Sequence, residues 1–227
     1  MASKFSDGIV VLTDRDAETW RGQFNIRGEL KAICNPIPRF PNITNQDNSH
    51  NNKVVLAVGR LAYEKGFDVL LQAWSLVAVE YPDWQLRIVG AGKLENELKN
   101  LTNELKLSET VVFTGKTKRV ELEYSKASVY VMSSRWEGLP MTLIEAQFFG
   151  LPSISTDCKT GPREVLSHNN GILVKVDDVV NLADTLILLL SDSNLREELS
   201  LSAKLNSSRY SITEVTNQWE SFLKRIV

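Results

Sequence analysis

The feature that most restricts the fold of this chain is a repeated alternation between residues 54 and 175. Short apolar runs such as VVLAV and LRIV alternate with longer segments whose apolar residues follow helical spacing. The runs lack the polar alternation of a sheet with one face in water, so they are expected to be buried on both faces. Strands of this kind separated by helices predict an α/β domain with a doubly wound parallel sheet.

Six strands are predicted in this domain, each with a helical partner downstream. The strands are expected at 54–60, 86–90, 111–115, 128–134, 152–157 and 171–175, with helical patterns at 66–82, 93–107, 119–127 and 141–149. In such domains ligands bind beyond the carboxyl ends of the strands. The residues that directly follow each strand are therefore the candidates for a functional site.

The chain is expected to divide into four parts. Residues 36–53 contain three prolines and a run of Asn, Ser and Asp, as in an exposed connector. Residues 54–208 hold the α/β domain, and residues 209–227 form an amphipathic helix expected to pack back towards the N-terminal part. Residues 1–35 give two strand-like pieces around one helix, which we interpret as the remnant of another domain. Exposed apolar surface is therefore expected near Ile9–Leu12 and Trp219.

Composition excludes some classes of function. The 26 Lys and Arg residues against 28 Asp and Glu residues leave no basic excess for nucleic acid or an anionic membrane. Cys34 and Cys158 lack the spacing of a metal site or a disulfide framework, so free thiols in a reducing compartment are expected. Since no secretory signal is found, the protein is expected in the cytoplasm.

The first strand end carries residues suited to a phosphate. Gly59 lets the backbone approach a ligand, while Arg60 and Lys65 supply positive charge for phosphate oxygens. A tight turn with two solvated cations is the alternative for this segment taken alone.

The next two strand ends carry weaker signals. Gly90 and Gly92 precede a helix whose first amides favour an anion, but Glu95 stands where a dinucleotide fingerprint has its third glycine. Thr114 and Gly115 end the following strand, and the exposed backbone there is suited to the edge of a planar base. An ordinary βα loop remains the alternative for each.

A fourth strand end carries two acids. Glu137 directly follows the strand, and Pro140 is expected in the first turn of the next helix, so Gly138, Leu139 and Met141 would present amides to a ligand. Glu145 lies about 7 Å further along the helix axis, with apolar residues on both sides. Both acids are therefore expected to reach one ligand, unless Glu145 is satisfied by a neighbouring backbone group or cation.

Together these segments resemble the C-terminal, donor-binding domain of the family 4 retaining glycosyltransferases, also called glycosyl transferases group 1, which have the GT-B fold. The resemblance covers about residues 33–227, and its most specific part is an E-x7-E motif within EGLPMTLIEAQFFGLP. VGRLAYEKG, IVGAG and VVFTG occur in the order and approximate spacing of that family. It implies a Rossmann-like domain that binds a nucleotide sugar, most often a UDP-sugar.

The resemblance also implies roles for individual residues. Arg60 and Lys65 would hold the diphosphate, Glu137 would lie beside the hydroxyls of the transferred sugar, and Glu145 would bind the ribose. Glu137, Arg60 and Lys65 are accordingly the expected catalytic residues. The full set of implied donor-binding positions is Gly59, Arg60, Lys65, Gly90, Gly92, Thr114, Gly115, Lys116, Glu137, Gly138, Leu139, Pro140, Met141, Thr142 and Glu145.

The reaction implied by the resemblance is transfer of a hexose or N-acetylhexosamine with retention at the anomeric carbon. Positive groups would stabilise the departing diphosphate, and neither a metal nor a cofactor is expected. The segment STDCKTGPREVL resembles members that build bacterial surface polysaccharides. Their acceptor is a glycan, often on a lipid diphosphate, which is compatible with peripheral contact at the inner membrane face.

One departure from the family concerns the acceptor. Most of the acceptor-binding N-terminal domain is not found, and His50 and His168 do not match its usual histidine, so a longer protein or a partner chain is expected to supply it. A non-catalytic nucleotide-sugar binding module therefore remains an alternative. An NAD-dependent dehydrogenase is disfavoured by Glu95, and a GT-B epimerase or phosphorylase is a minor alternative.

Overall fold

The computed structural model describes residues 6–40 and 52–226. Its strands are β1 (Gly8–Val11), β2 (Glu29–Ala32), β3 (Val54–Val58), β4 (Gln85–Val89), β5 (Val111–Gly115), β6 (Val129–Met132), β7 (Ser153–Thr156) and β8 (Ile172–Val174). Its helices are α1 (Asp14–Gln23), α2 (Phe67–Glu80), α3 (Glu95–Glu104), α4 (Val120–Lys126), α5 (Met141–Phe148), α6 (Pro162–Val165), α7 (Val179–Ser191), α8 (Ser193–Ser207) and α9 (Ile212–Ile226).

Strands β3 to β8 form one parallel sheet in the order β5-β4-β3-β6-β7-β8. The chain builds outward from β3 to β5 and then returns to place β6 on the other side of β3. The prediction of a doubly wound α/β domain with six parallel strands is therefore confirmed. The carboxyl ends of β3 and β6 flank the point where the strand order reverses, which is where ligands bind in such sheets.

Both faces of this sheet are buried, as the apolar runs predicted. Val55 and Ala57 of β3 face a layer formed by α2, α3 and α7, whereas Leu56 faces the opposite layer with α4 and α5. Large side chains such as Trp74 and Tyr130 are fully buried in these two layers. Burial of this apolar surface is the main contribution that holds the helices against the sheet.

The N-terminal residues form a separate small βαβ unit. Strands β1 and β2 pair in parallel, and α9 packs on them through buried Phe222 and Val215. An ion pair of 2.7 Å joins Arg225 of α9 to Glu29 of β2. As expected, apolar surface is exposed here, with Leu12 at 38% and Trp219 at 39% exposure.

One carboxylate connects this unit to the six-stranded domain. Glu164 of α6 accepts hydrogen bonds from the backbone N–H groups of Asp14 (3.0 Å) and Arg15 (3.1 Å), at the start of α1. A negative charge at a helix N-terminus satisfies free amides and interacts favourably with the helix dipole.

The proposed division into four parts stays a prediction, and residues 41–51 of the predicted connector lie outside the described residues. Within residues 6–40 and 52–226, no helix is both long enough and apolar enough to cross a lipid bilayer.

Candidate functional site

The carboxyl ends of four neighbouring strands meet at one edge of the sheet. Beyond the strands, the backbone N–H of Gly59 donates to Val89 O (2.9 Å) and that of Gly90 donates to Gly115 O (2.9 Å). Gly90 has a φ of +147°, and a Cβ at this position would overlap the carbonyl oxygen of Gly59. Glycine is therefore required for these two loops to pack closely, which keeps the edge open for a ligand.

A cavity of about 420 Å³ lies at this edge. It is lined by Val58, Gly59, Arg60, Val89, Gly90, Ala91, Lys116, Thr117, Val120 and Glu145. Five of these positions were predicted from the sequence, and they come from three strand ends and from α5. A cavity of this size, with both polar and apolar groups in its lining, is suited to a small organic ligand.

Glu145 reaches this cavity from inside α5 and is held by a buried tyrosine. The hydroxyl of Tyr124 donates to Glu145 Oε2 at 2.9 Å, and the Tyr124 side chain is fully buried. Burial raises the pKa of the Glu145 carboxyl, and the hydrogen bond from Tyr124 partly opposes this effect. Burial also raises the pKa of Tyr124 well above its usual value, so the phenol stays a donor at neutral pH.

Glu137 lies after β6 and is fixed by two contacts at one oxygen. Its Oε1 accepts from Lys65 Nζ at 2.6 Å and from Ser134 Oγ at 2.6 Å. The Glu137 and Lys65 side chains are 11% and 22% exposed, so the ion pair is largely shielded from water. The backbone carbonyl of Glu137 accepts a hydrogen bond from the Thr160 hydroxyl. The structure thus places the predicted acid directly against one of the two predicted cations.

Arg60, the second predicted cation, is oriented differently. Its side chain is 71% exposed and forms an ion pair with Glu64, one turn later in the chain. Each predicted phosphate-binding cation is therefore paired with a carboxylate. A phosphate that binds here must replace these carboxylates or share the cations with them.

The residues that precede α5 differ slightly from the prediction. Pro140 is the N-cap of the helix rather than a residue of its first turn, and its carbonyl accepts from Leu143 N (3.1 Å) and Ile144 N (3.2 Å). Among the residues that the structure describes, no side chain caps α5, so its first amides, at the strand-end edge, lack a side-chain acceptor. Thr142 is oriented by the hydroxyl of Tyr130, which donates to Thr142 Oγ1 at 2.9 Å. Gly138, Leu139 and Met141 are the other predicted residues of this segment.

Gly92 does not directly open a helix. Helix α3 begins three residues later, at Glu95, and that residue forms an ion pair with Lys99. The intervening turn is held by the Leu61 carbonyl, which accepts from Leu94 N at 3.1 Å. The first turn of α3 is therefore acidic, which disfavours the anion expected there.

The remaining residues to consider are the two cysteines and the residue types that bind metal ions. Cys34 and Cys158 are free thiols, as predicted, and burial raises the pKa of Cys158 to about 11. Among the described residues, no three His, Cys, Asp or Glu side chains are grouped to hold a metal ion. The expectation of a metal-independent reaction stays a prediction, and His50 lies outside the described residues.

Two site residues were not found from the sequence. Tyr124 lies on the buried face of α4, where an aromatic side chain is expected for packing alone, and no signal in the sequence indicates its contact with Glu145. Ser134 precedes Glu137 by three residues, a spacing at which a side chain can reach back within a turn. That spacing is a signal from which Ser134 could have been predicted.

Comparison with known proteins supplies a family for this arrangement. The model of the family described as glycosyl transferases group 1 matches residues 40–205. An uncharacterized glycosyltransferase from Haemophilus influenzae is 35% identical over 96% of this chain and 61% of its own length. The amylovoran biosynthesis glycosyltransferase AmsD from Erwinia amylovora is 32% identical over 96% of this chain and 62% of its own length.

A further relative carries a more specific name. It is a Campylobacter jejuni α-1,4-N-acetyl-D-galactosaminyltransferase named for a diphospho-undecaprenol-linked glycan, and it is 30% identical over 98% of this chain and 61% of its own length. The chain thus spans about three fifths of the length of these curated relatives.

Solved structures share the fold. TarM from Staphylococcus aureus, solved with UDP, fondaparinux and α-GlcNAc-glycerol, has a TM-score of 0.86 at 22% identity, over 97% of this chain and 44% of TarM. HepE from Anabaena, solved with UDP, has a TM-score of 0.84 at 20% identity, over 99% of this chain and 65% of HepE. The six-stranded sheet is therefore that of the Rossmann-like C-terminal half of a GT-B fold.

Proposed function

Since the chain belongs to the family of glycosyl transferases group 1, we propose that it is the donor-binding part of a retaining, family 4 hexosyltransferase. The donor is a UDP-sugar, and the transferred group is a hexose or an N-acetylhexosamine. The acceptor is a glycan or a lipid-linked glycan in surface polysaccharide biosynthesis.

The observation that carries this proposal is the arrangement of the two acids of the E-x7-E motif. Glu137 lies against Lys65 at the end of β6, and Glu145 enters the cavity at the ends of β3 and β4. The two acids thus belong to one strand-end edge, at the point where the strand order reverses. A ligand with a sugar at one end and a nucleoside at the other fits two separate carboxylates.

In this proposal each half of the edge binds a different part of the donor. Glu145, fixed by Tyr124, accepts hydrogen bonds from the ribose hydroxyls. The backbone around Thr114, Gly115 and Lys116 contacts the base, and the lining of the cavity by Lys116 supports this role. UDP is the nucleotide in the TarM and HepE structures, which supports the same choice here.

The other half binds the diphosphate and the sugar. Lys65 and Arg60 neutralise the diphosphate, and the uncapped amides of α5 add donors for its oxygens. Glu137 binds hydroxyls of the transferred sugar. As the bond between the anomeric carbon and the phosphate oxygen breaks, negative charge on the diphosphate grows, and fixed positive groups stabilise it.

The acceptor-binding site is completed by a part of the protein beyond this domain, or by a partner chain. The printed names of the Erwinia and Campylobacter relatives support a polysaccharide or a lipid-linked glycan as acceptor. Peripheral contact with the inner membrane face follows where the acceptor is attached to a lipid.

Calorimetric titration of the purified chain tests the donor assignment. The chain is titrated with UDP, UDP-glucose, UDP-GlcNAc and UDP-GalNAc, and with ADP and NAD for comparison. Glu145→Ala is expected to weaken UDP binding by about tenfold or more, because it removes charge-assisted hydrogen bonds to the ligand. Glu104→Ala, an exposed site on α3, is the matched control and should bind UDP as the unaltered chain does.

Two results would contradict the proposal. Binding of NAD in preference to UDP would indicate a dehydrogenase-like site. Binding of UDP that Glu145→Ala leaves unchanged would show that the nucleotide does not occupy this cavity. If UDP binds as proposed, a turnover assay after addition of an acceptor domain distinguishes an enzyme from a module that only binds nucleotide sugars.

A further inference from the structure

Two aromatic side chains are exposed side by side next to the candidate site. Tyr63 is 59% exposed and Trp136 is 53% exposed, although both belong to turns within a well-packed domain. Their ring centroids are 5.8 Å apart, and the rings are inclined by 53°. Neither ring is needed for the hydrophobic core, so their exposure calls for an explanation from function.

Arg135, a largely buried arginine, holds the Tyr63 ring and the turn that carries it. Arg135 lies over the Tyr63 ring at 4.1 Å from its centroid and donates to the Tyr63 carbonyl at 2.8 Å. Its guanidinium forms two hydrogen bonds with Asp68 (2.9 and 2.7 Å), and its Nε lies 2.9 Å from Asp177 Oδ1. The backbone N–H of Arg135 also donates to Glu64 O at 2.8 Å. The two turns that carry the aromatic rings are thus fastened together, which lowers the entropy lost when a ligand binds.

The position of the pair relates it to the chemistry of the site. Trp136 directly precedes Glu137, and Tyr63 precedes Lys65 by two residues, so the two turns that carry the rings are also joined by the Lys65–Glu137 ion pair. The ion pair is mostly shielded from water, whereas the rings are more than half exposed. The aromatic pair, called the rim below, is therefore carried by the same two turns as the part of the site assigned above to the transferred sugar.

The chemistry of this rim matches one kind of ligand. Aromatic rings provide a flat apolar surface, and the half-exposed carboxylate of Asp177 provides an acceptor nearby. A hexopyranose ring has an apolar face of C–H groups and a rim of hydroxyls, so it can bury that face and still donate hydrogen bonds. An anionic ligand is disfavoured, because the charge of Arg135 is already matched by Asp68 and Asp177.

We propose that Tyr63 and Trp136 form a subsite that binds a sugar ring of the acceptor glycan. This inference rests on the proposed glycosyltransferase function. A ring stacked here lies next to the transferred sugar, so the rim would position the acceptor and exclude water from the reacting bond. Trp136 and Tyr63 are positioning residues in this scheme and take no part in bond breaking.

Saturation-transfer NMR of the purified chain tests the subsite without the acceptor domain. The probes are maltotriose, galactobiose and N,N′,N″-triacetylchitotriose at millimolar concentration. We expect saturation of ring C–H protons in at least one probe, and a loss of about fivefold or more in Trp136→Ala. Trp136→Phe keeps an aromatic face and should retain most of the signal, which separates stacking from a folding defect.

Trp219→Ala removes another partly exposed tryptophan, on α9, and is the matched control that should leave the signal unchanged. UDP binding by calorimetry is measured on each variant and is expected to stay within about twofold of the unaltered chain. A chain that binds UDP but shows no saturation with any probe would overturn the subsite and leave the donor assignment intact. A signal that survives in Trp136→Ala would also overturn it. If the unaltered chain does not bind UDP, the result would instead contradict the proposed function.

Discussion

Replacement of Glu145 by glutamine should stabilise the protein while it weakens the binding of a nucleotide. Glu145 is largely buried in α5, and burial raises its pKa above the usual value of 4.5 despite the hydrogen bond from Tyr124. Glutamine has nearly the same shape, and its carbonyl oxygen can still accept from the Tyr124 hydroxyl. The substitution therefore removes the charge with little change in packing.

The size of the effect depends on pH. Because the pKa of Glu145 is higher in the folded protein than in the unfolded chain, its contribution to stability is complete below about pH 4.5 and is lost as the pH rises through the folded pKa. Each pKa unit corresponds to about 1.4 kcal/mol of unfolding free energy. For a chain of this length, 1 kcal/mol shifts the Tm by about 2–4 °C. We expect Glu145→Gln to raise the Tm at pH 8, by about 2–4 °C for each kcal/mol of unfolding free energy gained, and to have almost no effect at pH 4.

Thermal unfolding followed by circular dichroism at several pH values between 4 and 8 measures this difference. Glu104→Gln, on the exposed surface of α3, serves as the control and should show no pH-dependent gain. A Glu145→Gln protein that is less stable at pH 8, or whose Tm difference is the same at pH 4 and pH 8, would refute the reasoning. In the proposed function, the same substitution lowers the affinity for UDP, so stability and binding should change in opposite directions.

Three further features of the fold can be tested by substitution and urea denaturation. Gly90→Ala should lower the unfolding free energy by about 2–4 kcal/mol, because its Cβ would overlap the Gly59 carbonyl; a midpoint equal to that of the unaltered chain would contradict the close packing. Arg135→Lys should cost about 1–2 kcal/mol, since lysine cannot make both hydrogen bonds to Asp68, and Asp68→Asn measured beside it should show a similar loss. Glu164→Ala should cost about 1 kcal/mol because the backbone N–H groups of Asp14 and Arg15 lose their acceptors, whereas Glu164→Gln should retain part of this contribution.

The sequence was sufficient for the six strands of the sheet, whereas the roles of the residues at its edge stay predictions. Apolar runs such as those that form β3 and β4 have one physical explanation, burial on both faces of the sheet. The number of strands and the parallel type of the sheet could therefore be predicted. The order of the strands in space is set by packing between distant segments. The ion pair of Lys65 with Glu137, 72 residues later in the chain, therefore could only be expected as proximity at one edge.

Other features depend on contacts that no local pattern records. Tyr124 resembles any buried aromatic residue of an amphipathic helix, and only the position of α4 beside α5 brings its hydroxyl to Glu145. The later start of α3 follows from hydrogen bonds of the preceding turn with Leu61 on another loop: Leu94 N donates to Leu61 O, and Leu61 N donates to Ala91 O. Partners from a different part of the chain determined each of these details.

The packing of α9 on the small βαβ unit has a practical consequence for shortened versions of the chain. Residues near the two ends of the sequence depend on each other, since Phe222 covers Gly8 and Arg225 is paired with Glu29. Removal of the first 35 residues alone would strip α9 of its apolar partner, and cleavage before α9 would uncover β1 and β2 in the same way. A shortened protein that is to stay folded without aggregating should therefore lose both segments together or keep both.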